Sequence, residues 1–146
     1  MIFFKDGQGL WTEEIKFVTL QEWLGMNKYE LIKGTGRTKI SLSACHVGND
    51  LVVCIYNENA HIGAVAVGEY DHREQRASTS VITRLGHKDD AVAQQAAHAI
   101  SKYTKKPVCV IAGIHINNIT EEEINQVIEN ARGLITELTS QTLGSQ

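Results

Sequence analysis

Apolar and polar residues alternate through much of the first half of the chain, a period of two that is typical of strands with one buried face. Ile40, Leu42 and Ala44 alternate with polar residues, and a continuous β-branched run follows the turn at 47–50. These two segments predict a hairpin. Two similar segments follow, so we predict a meander with strands at residues 38–46, 51–56, 61–70 and 77–84. A further strand is expected within residues 11–32, where glycines obscure the period.

Beyond Asp90 the apolar residues recur every three or four positions, which predicts helices. The first helix is expected to begin with Asp89 or Asp90 as its N-cap and to end before Pro107. Its predicted apolar face consists of Val92, Ala96, Ala99, Ile100 and Tyr103.

The second predicted helix begins at a capping box formed by Thr120 and Glu123. A sustained apolar stripe follows it: Ile124, Val127, Ile128, Ala131, Leu134, Ile135 and Leu138. Between the two helices, residues 108–112 are all apolar, which is typical of a strand buried on both faces or of a central strand covered by helices.

This order of elements predicts an α+β fold, in which an antiparallel β-meander sheet is covered on one side by two helices. The C-terminal half is expected to run β-α-β-α. We expect a single domain over residues 1–146, with residues 140–146 as a frayed tail.

Composition narrows the possible functions. A net charge of −3 and a pI near 6.0 argue against a nucleic-acid surface, which needs clustered Lys and Arg. Three cysteines without CxxC spacing are expected to be small buried hydrophobes in a reducing compartment. No stretch approaches the length of a membrane span and no basic leader precedes an apolar core, so we expect a cytoplasmic protein without membrane contact.

The junction between the fourth strand and the first helix carries the densest candidate chemistry, in His87, Lys88, Asp89 and Asp90. In one interpretation, Lys88 and the free N–H groups of the first helical turn hold a phosphate, although the two aspartates oppose an anion there. In another, His87 and the aspartates bind a divalent metal. The simplest alternative is a charged helix start in which one aspartate caps and the other complements the dipole.

His115 and a polar strand face are further candidates. His115 follows the predicted buried strand, at a position that often faces ligands. In the metal interpretation it would complete a ligand set of His87, Asp89, Asp90 and His115. Arg76, Ser78 and Ser80 share one strand face and suit a phosphate or carboxylate.

Two other features have structural interpretations. His98, in the middle of a helix among alanines, is expected to be a packing or surface residue. The small residues at 63–68 are expected to let a ligand ring, a helix or a partner subunit approach the sheet closely.

Several of these segments together resemble the prenylated-flavin chaperone family of LpdD-like proteins, the small "D" helper proteins of UbiD-type hydroxyarylic-acid decarboxylases. The resemblance spans residues 63–138. It is carried by Arg76-x-Ser-x-Ser80, Gly86-His-Lys-Asp-Asp90, Lys106-Pro-Val108, Ala112-Gly-Ile-His115 and Ile119-Thr-x-Glu-Glu-Ile124.

The resemblance implies a small, cytoplasmic, dimeric protein that binds or delivers prenylated FMN. Motif position and residue chemistry then assign the flavin phosphate to Arg76, Ser78, Ser80 or Lys88. His87 and His115 would contact the ring or a bound ion.

The sequence therefore predicts a non-catalytic accessory protein that binds prenylated FMN, or a related flavin phosphate, for a UbiD-type decarboxylase, and that forms a homo-oligomer. Two alternatives stay open. One is a metal-dependent hydrolase or phosphatase that uses His87, Asp89, Asp90 and His115. The other is a structural subunit of a decarboxylase complex.

Overall fold

The structure, a computed structural model, describes residues 2–5, 11–14 and 28–144. The strands are β1 (Ile2–Lys5), β2 (Trp11–Glu14), β3 (Lys28–Lys33), β4 (Ile40–Val47), β5 (Asp50–Tyr56), β6 (Ala64–Asp71), β7 (Arg76–Thr83) and β8 (Val108–Gly113). The helices are α1 (Asp90–Thr104) and α2 (Glu121–Gly144), with a short 3-10 helix at Gly36–Thr38. Strands β1 and β2 pair with each other as a separate two-stranded ribbon.

The main sheet has six strands in the order β3-β4-β5-β8-β6-β7, and two helices pack on it, which confirms the α+β fold. Every neighbouring pair is antiparallel except β5 and β8, which are parallel. The predicted meander is interrupted, because β8 lies between β5 and β6. An inner position suits this apolar strand, since both of its backbone edges find partners and its alternate residues are buried.

Alternate residues of the inner strands face α1 and α2 and form the core. Its largest fully buried side chains include Ile40, Leu42, Ile55, Ile100 and Leu134. On the opposite face of the sheet, the residues of β4, β5 and β8 are largely half-buried, whereas those of β6 and β7 are mostly exposed. The half-buried part carries Cys45, Cys54 and Cys109 as free thiols. The cysteines are therefore only half-buried, because they alternate with the core residues rather than joining them.

Helix α1 packs on the sheet through smaller side chains than predicted. Its buried residues are Ala93, Ala96, Ala97, Ile100 and Ser101, whereas Ala99 and Tyr103 are exposed. The reason is a very close approach to β6: a Cβ added at Gly68 would overlap the backbone carbonyl of Ala97. A helix is therefore one of the neighbours that the small residues at 63–68 admit. His98 lies exposed on this helix.

Helix α2 begins at the predicted capping box. The Glu123 N–H donates to Thr120 Oγ1 over 3.2 Å, and the Thr120 N–H donates to Glu123 Oε2 over 3.0 Å. The helix continues to Gly144 and Thr142 is buried, so the predicted frayed tail is helical as far as residue 144. Within the described residues, no helix is long and apolar enough to cross a membrane.

Candidate functional site

The position of β8 brings three loops to one edge of the sheet. Strands β5 and β8 run parallel, so both end at this edge, whereas the antiparallel neighbour β6 begins there and β7 ends there. The segments at 57–63, 84–89 and 114–117 therefore meet at this edge. They bring His61, His87 and His115 together with the start of α1.

Asp89 lies at the centre of these loops and is buried, with 7% of its surface exposed. It occupies the N-cap position of α1, as predicted, but its side chain makes no capping hydrogen bond. Instead, Oδ1 accepts the N–H of Ile114 over 2.9 Å. The carboxylate thus joins the start of α1 to the loop that follows β8, and the N–H groups of the first turn keep no side-chain cap.

Two glycines make room for this arrangement. A Cβ added at Gly63 would overlap the Asp89 carboxylate, and one added at Gly113 would overlap the backbone carbonyl of His61. Gly63 also connects its neighbours, because its N–H donates to the Ala112 carbonyl and its own carbonyl accepts the Arg84 N–H, each over 2.9 Å. Side chains at these two positions would push the loops apart.

The imidazoles of His61 and His87 contact each other beside Asp89. His61 Nε2 and His87 Nδ1 are 3.1 Å apart, and the ring centroids are separated by 4.8 Å. His61 Nδ1 lies 2.9 Å from the carbonyl oxygen of Asn59, which can only accept a hydrogen bond. Nδ1 of His61 therefore carries a proton, and Nε2 is the ring nitrogen directed at His87 and Asp89.

The second carboxylate oxygen of Asp89 completes a triangle with these two nitrogens. Asp89 Oδ2 is 3.6 Å from His61 Nε2 and 3.7 Å from His87 Nδ1. The side chains of His61 and His87 are 23% and 28% exposed. Of the four predicted metal ligands, this triangle contains His87 and Asp89, whereas Asp90 and His115 lie outside it.

His61 is the site residue that sequence reasoning missed. It was placed inside a predicted strand, but β6 begins only at Ala64, and residues 61–63 form a loop against the start of α1. The nearby Gly63 was the available signal, since a glycine before a strand marks a close backbone approach.

His115 lies in the third loop, which Asn57 holds in place. The amide nitrogen of Asn57 donates to the His115 carbonyl over 2.8 Å, and its Oδ1 accepts the His115 N–H over 3.3 Å. The exposed ring pairs its Nε2 with Asn117 Oδ1 at 2.9 Å, and its centroid lies 6.4 Å from that of His61. The structure therefore brings His115 into the neighbourhood of His87, although the two come from loops distant in sequence.

A cavity of about 430 Å³ lies between α1, α2 and the loop after β8. His87, Lys88, Asp89 and His115 line its polar end near the loops, and the polar residues Gln95 and Arg132 also line it. Its apolar wall includes much of the predicted stripe of α2. The wall residues are Ala91, Val92, Ile114, Ile116, Ile119, Ile124, Val127, Ile128, Ala131 and Ile135. The cavity lies within the range of about 300–1,000 Å³ for small-molecule sites, and its mostly apolar lining with a few convergent polar groups is typical of them.

The structure does not bring Arg76, Ser78 and Ser80 to this cavity. Their strand partners are Asp71, Glu69 and Val67, whose side chains lie on the face of the sheet opposite the helices. Arg76 also lies at the far end of β7, seven residues from Thr83, or roughly 23 Å at about 3.3 Å per residue. The alternation of residues along β7 was read correctly, but the sequence did not reveal which face the helices cover.

Comparisons with known proteins agree with the fold. No curated protein matches the sequence. A chain from the crystal structure of a chaperone complex for yeast 20S proteasome assembly is similar in structure, with a TM-score of 0.52 and 12% sequence identity. The similarity covers 82% of this chain and 98% of that chain. At this identity it shows a shared fold.

A family described as the prenylated flavin chaperone LpdD-like domain matches residues 34–143. The match covers five of the six strands of the main sheet, β4 to β8, together with both helices and all three loops of the site. This is most of the chain, and it includes every segment on which the resemblance in sequence rests. The chain therefore belongs to the prenylated-flavin chaperone family of LpdD-like domains.

Proposed function

We propose that this protein binds prenylated FMN in the cavity between α1 and α2 and supplies it to a UbiD-type decarboxylase. The observation that carries the proposal is the cavity itself, which combines an apolar wall with a polar end in a chain of the prenylated-flavin chaperone family. A prenylated flavin has the matching chemistry, because its large ring system has apolar faces and a prenyl-derived hydrocarbon part, and it carries a phosphate at the other end of the molecule.

The polar end of the cavity suits the phosphate. Lys88 is exposed at the lining, and the first turn of α1 has no side-chain cap, so a cation and free N–H groups are available together. Asp89, which appeared to oppose an anion, directs its carboxylate to Ile114, His61 and His87 instead of to the first turn. His87 and His115 then flank the polar part of the ring.

A substitution that fills the cavity tests whether prenylated FMN binds there. Ala91 lines the cavity and is exposed on α1, so Ala91→Trp adds bulk at the lining without disturbing the core. Ala99→Trp is the matched control, because Ala99 is an exposed alanine of the same helix that does not line the cavity. We expect Ala91→Trp to abolish binding of prenylated FMN, measured by titration of flavin absorbance, and Ala99→Trp to bind like the original chain. Equal affinity in both variants would refute this site.

The phosphate contact is tested by charge. We expect Lys88→Ala to weaken prenylated-FMN binding about tenfold, because a hydrogen bond to a charged group contributes about 1.5 kcal/mol. The same substitution should change the affinity for the dephosphorylated flavin far less. Arg76→Ala is the control from the other face of the sheet. A larger loss of prenylated-FMN affinity in Arg76→Ala than in Lys88→Ala would indicate that the phosphate binds to Arg76, Ser78 and Ser80 instead.

Delivery to the decarboxylase requires that the rim of the cavity contact the partner enzyme. Leu85, two residues before His87, is 100% exposed, and Ile62, next to His61, is 51% exposed. We expect Leu85→Ser to leave prenylated-FMN binding intact and to slow activation of an apo UbiD-type decarboxylase. Ile32→Ser is the control, as an exposed apolar residue of β3. Equal activation by all three proteins would show that this rim is not the docking surface.

The homo-oligomer belongs to the same proposal. Light scattering of the full chain should give a mass at least twice that of the 16.2 kDa monomer. A monomer at working concentration would remove this part of the proposal and leave the cavity unaffected.

A further inference from the structure

We propose that His61, His87 and Asp89 bind one divalent transition-metal ion of the zinc type. Their three donor atoms, His61 Nε2, His87 Nδ1 and Asp89 Oδ2, lie 3.1, 3.6 and 3.7 Å from one another. Ligands in a tetrahedral zinc site are about 3.3 Å apart, since each lies about 2.0–2.1 Å from the ion. The triangle therefore has the size that such an ion requires, with small adjustments of side chains.

Two of the three ligand side chains are also held in place by a hydrogen bond to their other polar atom, as the ligands of metal ions commonly are. The Asn59 carbonyl accepts the Nδ1 proton of His61 and leaves Nε2 free to coordinate. The Ile114 N–H occupies Oδ1 of Asp89 and leaves Oδ2 directed at the two imidazoles. Gly63 provides the space that this orientation of the carboxylate needs.

A hydrogen bond between the two histidines does not account for the whole arrangement. It explains the 3.1 Å separation of their nitrogens, with His87 Nδ1 donating to His61 Nε2. Asp89 Oδ2 faces both rings from distances longer than a hydrogen bond, although its side chain is only 8% exposed. A cation at the centre of the triangle would give this oxygen and both ring nitrogens a common partner.

The donor set selects the class of ion. Two imidazoles and one carboxylate suit zinc and the neighbouring first-row ions, whereas magnesium and calcium prefer oxygen ligands alone. Three protein ligands leave one position of a tetrahedral ion open. His87 and Asp89 both line the cavity, so this position is accessible to an oxygen donor within it. Metal binding itself does not depend on the proposed flavin function, since it can be measured without any flavin.

The test uses the full chain, stripped with a chelator and titrated with Zn²⁺ by calorimetry and with Co²⁺ by visible absorbance. We expect one ion per chain. His61→Asn keeps a donor for the Asn59 carbonyl, and Asp89→Asn keeps an acceptor for the Ile114 N–H, so both variants preserve the loop contacts while removing a ligand atom. Each should weaken Zn²⁺ binding by more than about 100-fold, the upper range for loss of a supporting residue.

His98→Ala is the matched control, because it removes an exposed histidine of α1 that lies far along the helix from the triangle. It should bind Zn²⁺ like the original chain, and circular dichroism should show all variants folded. The proposal fails if the stripped protein binds no Zn²⁺ or Co²⁺. It also fails if folded His61→Asn and Asp89→Asn bind Zn²⁺ as tightly as the control, because the ion would then occupy another position.

Discussion

Replacing Gly63 with alanine should destabilise the protein through one defined contact. A Cβ at this position would overlap the Asp89 carboxylate, and the backbone of Gly63 does not need the left-handed conformation, so the effect is steric. Overpacking of this kind costs about 1–3 kcal/mol. If the carboxylate moves, the Ile114 N–H loses its acceptor, which costs about 1 kcal/mol more. Alanine restricts the unfolded chain and returns about 0.4–1 kcal/mol, so the expected net loss is about 1–3 kcal/mol.

Urea denaturation of a double-mutant cycle isolates this contact. Asp89→Ala removes the carboxylate that the new methyl would overlap and leaves only the Cβ of residue 89, 3.0 Å away. Gly63→Ala in that background should therefore cost less than about 1 kcal/mol in the free energy of unfolding. The coupling between the two positions should then be about 1–3 kcal/mol. Gly133→Ala in α2 is the control, because its Cβ meets only the flexible end of Lys33 and should be neutral or stabilising. An equal cost of Gly63→Ala in both backgrounds would refute the contact with Asp89.

Two further substitutions test the frame around the site. Thr120→Ala removes the capping box of α2 and should lower the free energy of unfolding by about 1 kcal/mol. Thr120→Ser keeps a hydroxyl at this position and should retain most of that stability. Equal urea midpoints for the two variants would contradict this role of Thr120. Burial, aided by the nearby Cys45 and Cys109, raises the pKa of the Cys54 thiol above its usual 9.0, so the folded state holds that proton more tightly than the unfolded state. This stabilisation is complete below pH 9.0 and is lost as the pH rises through the pKa of the folded state. Above pH 9.0, the urea midpoint should therefore fall less steeply with pH in Cys54→Ala than in the original chain. The same dependence of the urea midpoint on pH in both proteins would contradict this role of Cys54.

The sequence predicted elements whose signals are local. The period of two identified β4, apolar segments between turns identified β5, β6 and β7, and the capping box with its stripe placed the start of α2. The face of α1 was only partly predicted: Ile100 is buried, but Tyr103, which continues the same spacing, is exposed. The helix turns Ala97 to the sheet instead, because contact with β6 depends on Ala97 fitting against Gly68. Small residues at a close contact between a helix and a sheet leave little periodic signal in the sequence, because their role is to leave space for the neighbouring backbone.

The candidate site was only half predictable for a topological reason. His87 and Asp89 were recognised because a strand-to-helix junction concentrates polar groups in a short segment. His61 was not, because its role depends on β8 entering the sheet between β5 and β6, a pairing between strands far apart in sequence. Arg76, Ser78 and Ser80 were assigned to the same pocket from residue chemistry, and their participation in binding stays a prediction that the Arg76→Ala control tests.

The inserted strand is what makes this edge of the sheet a site. In an uninterrupted meander, the loop after β5 would lead directly into a neighbouring β6, and the loop after β8 would fall at an outer edge, away from both. With β8 between them, the Ile114 N–H reaches Asp89, and Gly113 lies against the His61 carbonyl. Two positions without side chains, Gly63 and Gly113, thereby set the distances between the polar groups. The chemistry available at this edge should consequently be as sensitive to a methyl group added at either glycine as to the loss of an imidazole.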